Sequence, residues 1–139
     1  MGRKLVGRTL ALFLFAFILA TLSGAYAWVS LEKHPYNEKR KGDPKRGMMI
    51  YGQLCVSCHG DKSMGDGVAA PAIDPKPANH TDQGRMGRLS DEHLYGATVG
   101  GGLEVNRSAN MPAWGLYLDE GEVYDLVAFL RSLAPFRGK

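Results

Sequence analysis

The chain has 139 residues, 45% hydrophobic and 22% charged, with a formal net charge of +3 at pH 7. That length suits one domain, and two cysteines are too few for a disulfide framework or a structural zinc site with four soft ligands. The positive excess lies in the N-terminal third: from Lys45 onward ten basic residues face eleven acidic ones, which argues against a nucleic-acid-binding surface.

Met1–Arg8 carries three positive charges, Thr9–Leu22 is almost wholly apolar, and Ala25-Tyr26-Ala27 offers small residues where a signal peptidase reads. This is the layout of a secretory signal. The uncharged run nevertheless continues to Leu31, 23 residues from Thr9. That is long enough to span a bilayer, with Tyr26 and Trp28 as interfacial anchors. Residues 1–31 are therefore either a signal peptide cleaved near Ala27 or a signal-anchor transmembrane helix. Both readings put the rest of the chain on the periplasmic side of the cytoplasmic membrane, because basic flanks stay inside. Residues 32–42 (EKHPYNEKRKG) are charged and poor in apolar side chains, and read as a solvated linker that carries an exposed His34.

Residues 43–139 form the remaining domain, and its pattern is helical. Asp43 as N-cap and Pro44 at the first helical position predict a helix through Leu54, with Gly47 and Tyr51 on one face. A second helix is predicted from Ser90 to Val99, ended by Gly100-Gly101-Gly102. A third starts at Asp119, with Glu122 as capping-box partner, and ends at Ala134-Pro135. Its apolar stripe is Val123, Leu126, Val127, Leu130 and Ala134, with Phe129 beside it. Gly60–Thr81 is a long Gly/Pro-rich stretch without elements of its own, which suits a segment draped over a cofactor edge. Strand signals are absent, so the class is all-α.

Cys55-Val56-Ser57-Cys58-His59 follows directly on the first predicted helix. The C-x-x-C-H pattern is that of a c-type haem attachment site. The chemistry needs this spacing: two thiols form thioethers with the two vinyl groups of one porphyrin, and the adjacent imidazole bonds the iron. A redox pair of the thioredoxin kind would need a βαβ setting, and a disulfide across two residues would leave His59 idle. One covalently attached haem c is therefore expected, with Cys55 and Cys58 as attachment points and His59 as proximal iron ligand.

Met111 is the expected distal ligand. It lies in a non-helical segment, Asn110-Met111-Pro112-Ala113-Trp114-Gly115, where Pro112 stiffens the backbone and Trp114 can pack at the ring edge. Met48 and Met49 sit too near the attachment site to cross to the opposite face. Met64 follows His59 too closely, and Met86, flanked by Gly84, Arg85, Gly87 and Arg88, reads as a surface-loop residue. His80 and His93 are the other candidates, and an open sixth position is the remaining one.

With these motifs in place, residues 43–133 resemble a class I mono-haem cytochrome c. The resemblance rests on Gly47…Tyr51…Cys55-Val-Ser-Cys-His59-Gly60, Gly65-Asp66-Gly67…Pro75-Lys76-Pro77, Met111-Pro112-Ala113-Trp114 and Leu126-Val-Ala-Phe-Leu-Arg-Ser-Leu133. It implies a small fold of three to four helices around the haem, after the N-terminal hydrophobic helix. The first and last helices would cross where Gly47 and Tyr51 meet Leu126 and Phe129 or Leu130. The resemblance also implies a loop carbonyl accepting the His59 N–H, here that of Val68 or Pro71. Val68 stands where relatives carry a proline.

The function expected is one-electron transfer between redox protein partners, with no enzymatic turnover. The competing reading is a fixed, membrane-anchored subunit of a larger oxidoreductase. A peroxidase or gas sensor would need an open iron and acid/base groups, for which only His80, His93 and Arg85 are available.

Overall fold

The computed structural model describes residues 35–138. The segment read as signal peptide or anchor lies outside the described residues, and no helix among them is long and apolar enough to cross a membrane. All regular structure among them is helical: α1 (Pro44–Leu54), α2 (Val56–His59), α3 (Gln83–Met86), α4 (Asp91–Gly100) and α5 (Glu120–Leu133). Short 3-10 turns at Ala70–Ala72, Gly102–Val105 and Trp114–Leu116 shape the connections.

The caps act as the sequence predicts. The Asp43 carboxylate accepts from the Lys45 N–H at 2.8 Å, and the Ser90 hydroxyl accepts from the His93 N–H at 3.1 Å. At α5 the capping box closes both ways: Asp119 accepts from the Glu122 N–H, and Glu122 accepts from the Asp119 N–H, each at 2.9 Å. Each bond satisfies a donor that a helix start leaves without a partner. The short helix α3 is absent from the predicted set, although Asp82 caps it through the Arg85 N–H at 3.1 Å. Two glycines and two arginines around its only large apolar residue hide the apolar periodicity there.

The core is the crossing of α1 and α5. Val123, Leu126, Val127, Leu130 and Ala134 are all buried. A methyl on Gly47 would lie 1.9 Å from the Asp125 carbonyl oxygen and 2.9 Å from Phe129 Cβ, so only a bare backbone lets the helices approach this closely. Tyr51 then covers the crossing against Phe129, ring centroids 5.1 Å apart. Asp125 is itself buried, accepts from the Asp43 N–H at 2.6 Å and pairs with Arg46 at 3.2 Å. It thereby ties the start of α1 to the middle of α5.

The segment before α1 is not simply solvated. Tyr36 packs on Tyr95 and Tyr124, with centroids 5.6 and 5.8 Å away, and the Asn37 N–H donates to the Tyr124 hydroxyl. Arg40 lies over the Tyr124 ring and pairs with Glu120. Aromatic surface thus pins a charged, irregular segment onto α4 and α5. Arg131 fastens the other end of α5 through Asp91 at 2.5 Å and the carbonyls of Met86 and Leu89.

Candidate haem site

Helix α1 ends where Cys55 takes over as its C-cap, its N–H bonded to the Tyr51 carbonyl. The turn α2 follows at once, so Cys55, Cys58 and His59 come off a rigid helix rather than a loop. The carbonyls at the end of α2 need partners, and the Gly/Pro-rich stretch supplies them. The N–H groups of Ala69, Gly67 and Gly65 donate to the carbonyls of Ser57, Cys58 and His59, at 2.9, 3.1 and 2.8 Å. Gly67 is obligatory in this zipper, because a Cβ there would lie 2.4 Å from the Ser57 carbonyl oxygen.

All four sequence-predicted residues, Cys55, Cys58, His59 and Met111, line one cavity of about 320 Å³. Its walls are largely apolar, with Leu94, Leu126 and Leu130 from α4 and α5. Both thiols are free. Burial pushes the Cys55 thiol up to about 12, with Cys58 nearby adding to the rise, so this sulfur stays neutral and apolar until it reacts.

His59 Nδ1 lies 3.1 Å from the Ala78 carbonyl oxygen. That oxygen can only accept, so Nδ1 carries the proton and Nε2 keeps its lone pair. Burial holds the imidazole below its usual range, partly offset by this hydrogen bond. A neutral, oriented imidazole with an available Nε2 is what iron ligation needs. The accepting carbonyl is neither of the two expected: Val68 is 92% exposed, and the role falls to Ala78. Gly65 makes this possible with φ +78°, where a Cβ would meet the Pro77 carbonyl oxygen at 2.5 Å. The resemblance implied the Val68 or Pro71 carbonyl; the loop path, invisible in sequence, selects Ala78.

Met111 is held from behind by the Gly100–Gly102 run. The Gly102 N–H donates to the Met111 carbonyl at 3.1 Å, and the Met111 N–H donates to the Ser108 carbonyl at 3.2 Å. Gly101 has φ +75°, and a Cβ there would lie 2.6 Å from the Met111 carbonyl oxygen. The glycines that read as a helix stop also seat this methionine.

The remaining candidates fall into place. Met48, Met49 and Met64 are about half exposed and do not line the cavity. Met86 is no surface-loop residue: α3 buries it to 1% exposure, packed in the core and against the cavity. His80 is buried and stacks flat on His59, centroids 4.3 Å apart and planes inclined by 21°. Two imidazoles side by side cannot take opposite faces of one metal, so His80 is not a ligand trans to His59. Burial, then the neighbouring His59 and Arg85, lowers its pKa to about 3, and it is neutral. His93, Arg85 and Arg107 also line the cavity. Burial and those two cations lower its pKa as well.

The cavity fits a haem on the chemistry of its donors: two thiols and one oriented imidazole from a single turn, a thioether from a separate loop, and apolar walls. Comparison with known proteins agrees. The cytochrome c family profile matches residues 44–134. The cbb3-type cytochrome c oxidase subunit CcoP of Azospirillum sp. (strain B510) is 32% identical over 101 residues, which is 66% of this chain and 29% of that protein. Among solved structures, a chain of the reducing HAO-like protein complex from Kuenenia stuttgartiensis has a TM-score of 0.56 at 27% identity. That match covers 70% of this chain and 46% of the other. This chain thus matches less than half the length of either relative. With a matching profile from α1 to the end of α5 and one C-x-x-C-H turn facing an apolar cavity, the chain belongs to the cytochrome c family and carries one covalently attached haem c.

Proposed function

We propose that this protein transfers single electrons through a His/Met-ligated haem outside the cytoplasmic membrane. The observation that carries the reading is the convergence of His59 and Met111 on one cavity, with His59 Nε2 left available by the Nδ1 bond to Ala78. Bound haem supplies the Fe(III)/Fe(II) couple, and a soft thioether ligand raises its potential.

The chain's own residues do the rest. Cys55 and Cys58 fix the macrocycle by thioether bonds, His59 Nε2 and the Met111 sulfur hold the iron, and Leu94, Leu126 and Leu130 keep water out. Arg85 and Arg107 on the cavity lining would offer positive charge to the propionates of the bound group. Two strong ligands on rigid supports limit rearrangement between oxidation states, which keeps transfer fast. A peroxidase would need an iron without a sixth ligand, and the Met111 thioether on the same cavity favours the closed site instead.

Met111→Ala tests the ligation. The sulfur-to-iron charge-transfer band at the red end of the visible spectrum is expected to vanish and carbon monoxide to bind the reduced variant readily. Survival of the band would refute Met111 as ligand.

A second reading is a tethered subunit that relays electrons within a complex. It is favoured by the relatives themselves, one named as an oxidase subunit and the other as part of a protein complex. Solubilising the membranes in mild detergent separates the two readings: co-purifying redox subunits would mark a fixed subunit, and a monodisperse lone cytochrome would mark a carrier.

A further inference from the structure

The segment Ala78–His80 grips His59 twice. The carbonyl of its first residue accepts a hydrogen bond from His59 Nδ1 at 3.1 Å. Its last lays an imidazole flat against the His59 ring, centroids 4.3 Å apart and planes inclined by 21°. His80 is only 9% exposed, a costly place for a polar ring that serves no purpose there. It is also held from behind. The Tyr51 ring meets it edge-on at 5.9 Å and 72°, the Tyr51 hydroxyl lies 3.5 Å from its Nδ1, and the main-chain N–H of His80 donates to the Ser63 carbonyl at 2.7 Å. Tyr51 is in turn wedged against Phe129 at the α1/α5 crossing.

A single hydrogen bond at Nδ1 fixes which nitrogen faces the metal, but leaves the imidazole able to rock about that bond. A second flat ring packed nearly parallel blocks the motion, because turning either ring drives its edge into the face of the other. We propose that His80 is a positioning residue: by stacking on His59 it fixes the plane of the axial imidazole, and so links that plane to the α1/α5 crossing through Tyr51. The inference rests on iron ligation by His59 as proposed above. Outer-shell contacts of this kind orient metal-bound histidines and tune the metal. The plane of an axial imidazole decides how its π orbitals overlap those of a ferric iron, and hence how unpaired spin spreads over the macrocycle.

Proton NMR of the ferric holoprotein reads that plane as the order and spread of the haem methyl resonances. His80→Leu keeps apolar bulk and loses the flat face; it is expected to reorder the methyl shifts and to move the reduction potential. His80→Phe restores a flat ring and is expected to return the wild-type order. A role in stability alone would lower the melting temperature of both variants and leave the order untouched. An unchanged order in His80→Leu overturns the proposal, as does a Phe variant that behaves like the Leu one. If His80→Leu takes up no haem, the reduced wild-type protein decides. NOEs between the two imidazole rings are expected there, and their absence overturns the proposal. The upfield methionine methyl resonance of the reduced wild-type protein reports His/Met ligation separately, so a failure of that reading is distinguishable.

Discussion

Gly65 governs the position of an atom nineteen residues from its target's ring in sequence. Its φ of +78° and the 2.5 Å that a Cβ would leave to the Pro77 carbonyl oxygen bring Ala78 onto His59. Gly65→Ala is therefore expected to destabilise the holoprotein by about 2 kcal/mol, since it combines a left-handed backbone with a backbone clash. Denaturant unfolding measures this, and a change within about 0.5 kcal/mol, typical of inert surface sites, would contradict the account. At this scale the sequence is legible where chemistry is encoded by type and spacing, as at Cys55, Cys58 and His59. It is illegible at Met86 and His80, whose glycine, arginine and asparagine neighbours suggest surface. What buries them is packing against residues distant in sequence, the core cluster for Met86 and the Tyr51 and His59 rings for His80.

Helix α1 illustrates how one element carries both fold and site. Its buried face, Gly47 and Tyr51, builds the crossing with α5, and its C-terminus delivers the haem-binding turn. Gly47→Ala places a methyl 1.9 Å from the Asp125 carbonyl oxygen and is expected to cost about 3 kcal/mol by forcing the helices apart. Gly52→Ala in the same helix meets nothing within 4 Å and is expected to stabilise by up to about 1 kcal/mol through helix propensity. Opposite signs from one substitution type, read by thermal unfolding, test the crossing directly. Helix boundaries were legible here because caps are local chemistry: Asp43, Ser90 and Asp119 each bond an N–H within the first turn. The crossing partner was legible as a small residue and an aromatic four positions apart. That Gly47 meets the Asp125 backbone was not, since contact across elements depends on their relative rotation.

Across the whole domain, one buried network joins fold to cofactor: Phe129, Tyr51, His80 and His59 in sequence of contact. Its titration gives the molecule an alkaline limit. Burial raises the Tyr51 phenol from 10.0 to about 12. The folded state therefore keeps a proton that the unfolded state loses, so this contribution is complete below pH 10 and is lost as pH rises through 12. Tyr51→Phe is expected to show a shallower decline of stability over that window, by on the order of 2 kcal/mol; equal slopes in both proteins would sink the assignment. By itself, the sequence determined the helical class, the three capped helices, the haem-binding turn and a methionine loop suited to closing the site. These are set by contacts within a few residues or by fixed spacing, which a linear reading captures. The tertiary structure alone decided that the Ala78 carbonyl accepts the hydrogen bond from His59 Nδ1, that His80 stacks on His59 and that Tyr36 is pinned rather than solvated. Each joins segments far apart in the chain, and only the packing of α1 on α5 fixes which side chains those segments present to one another.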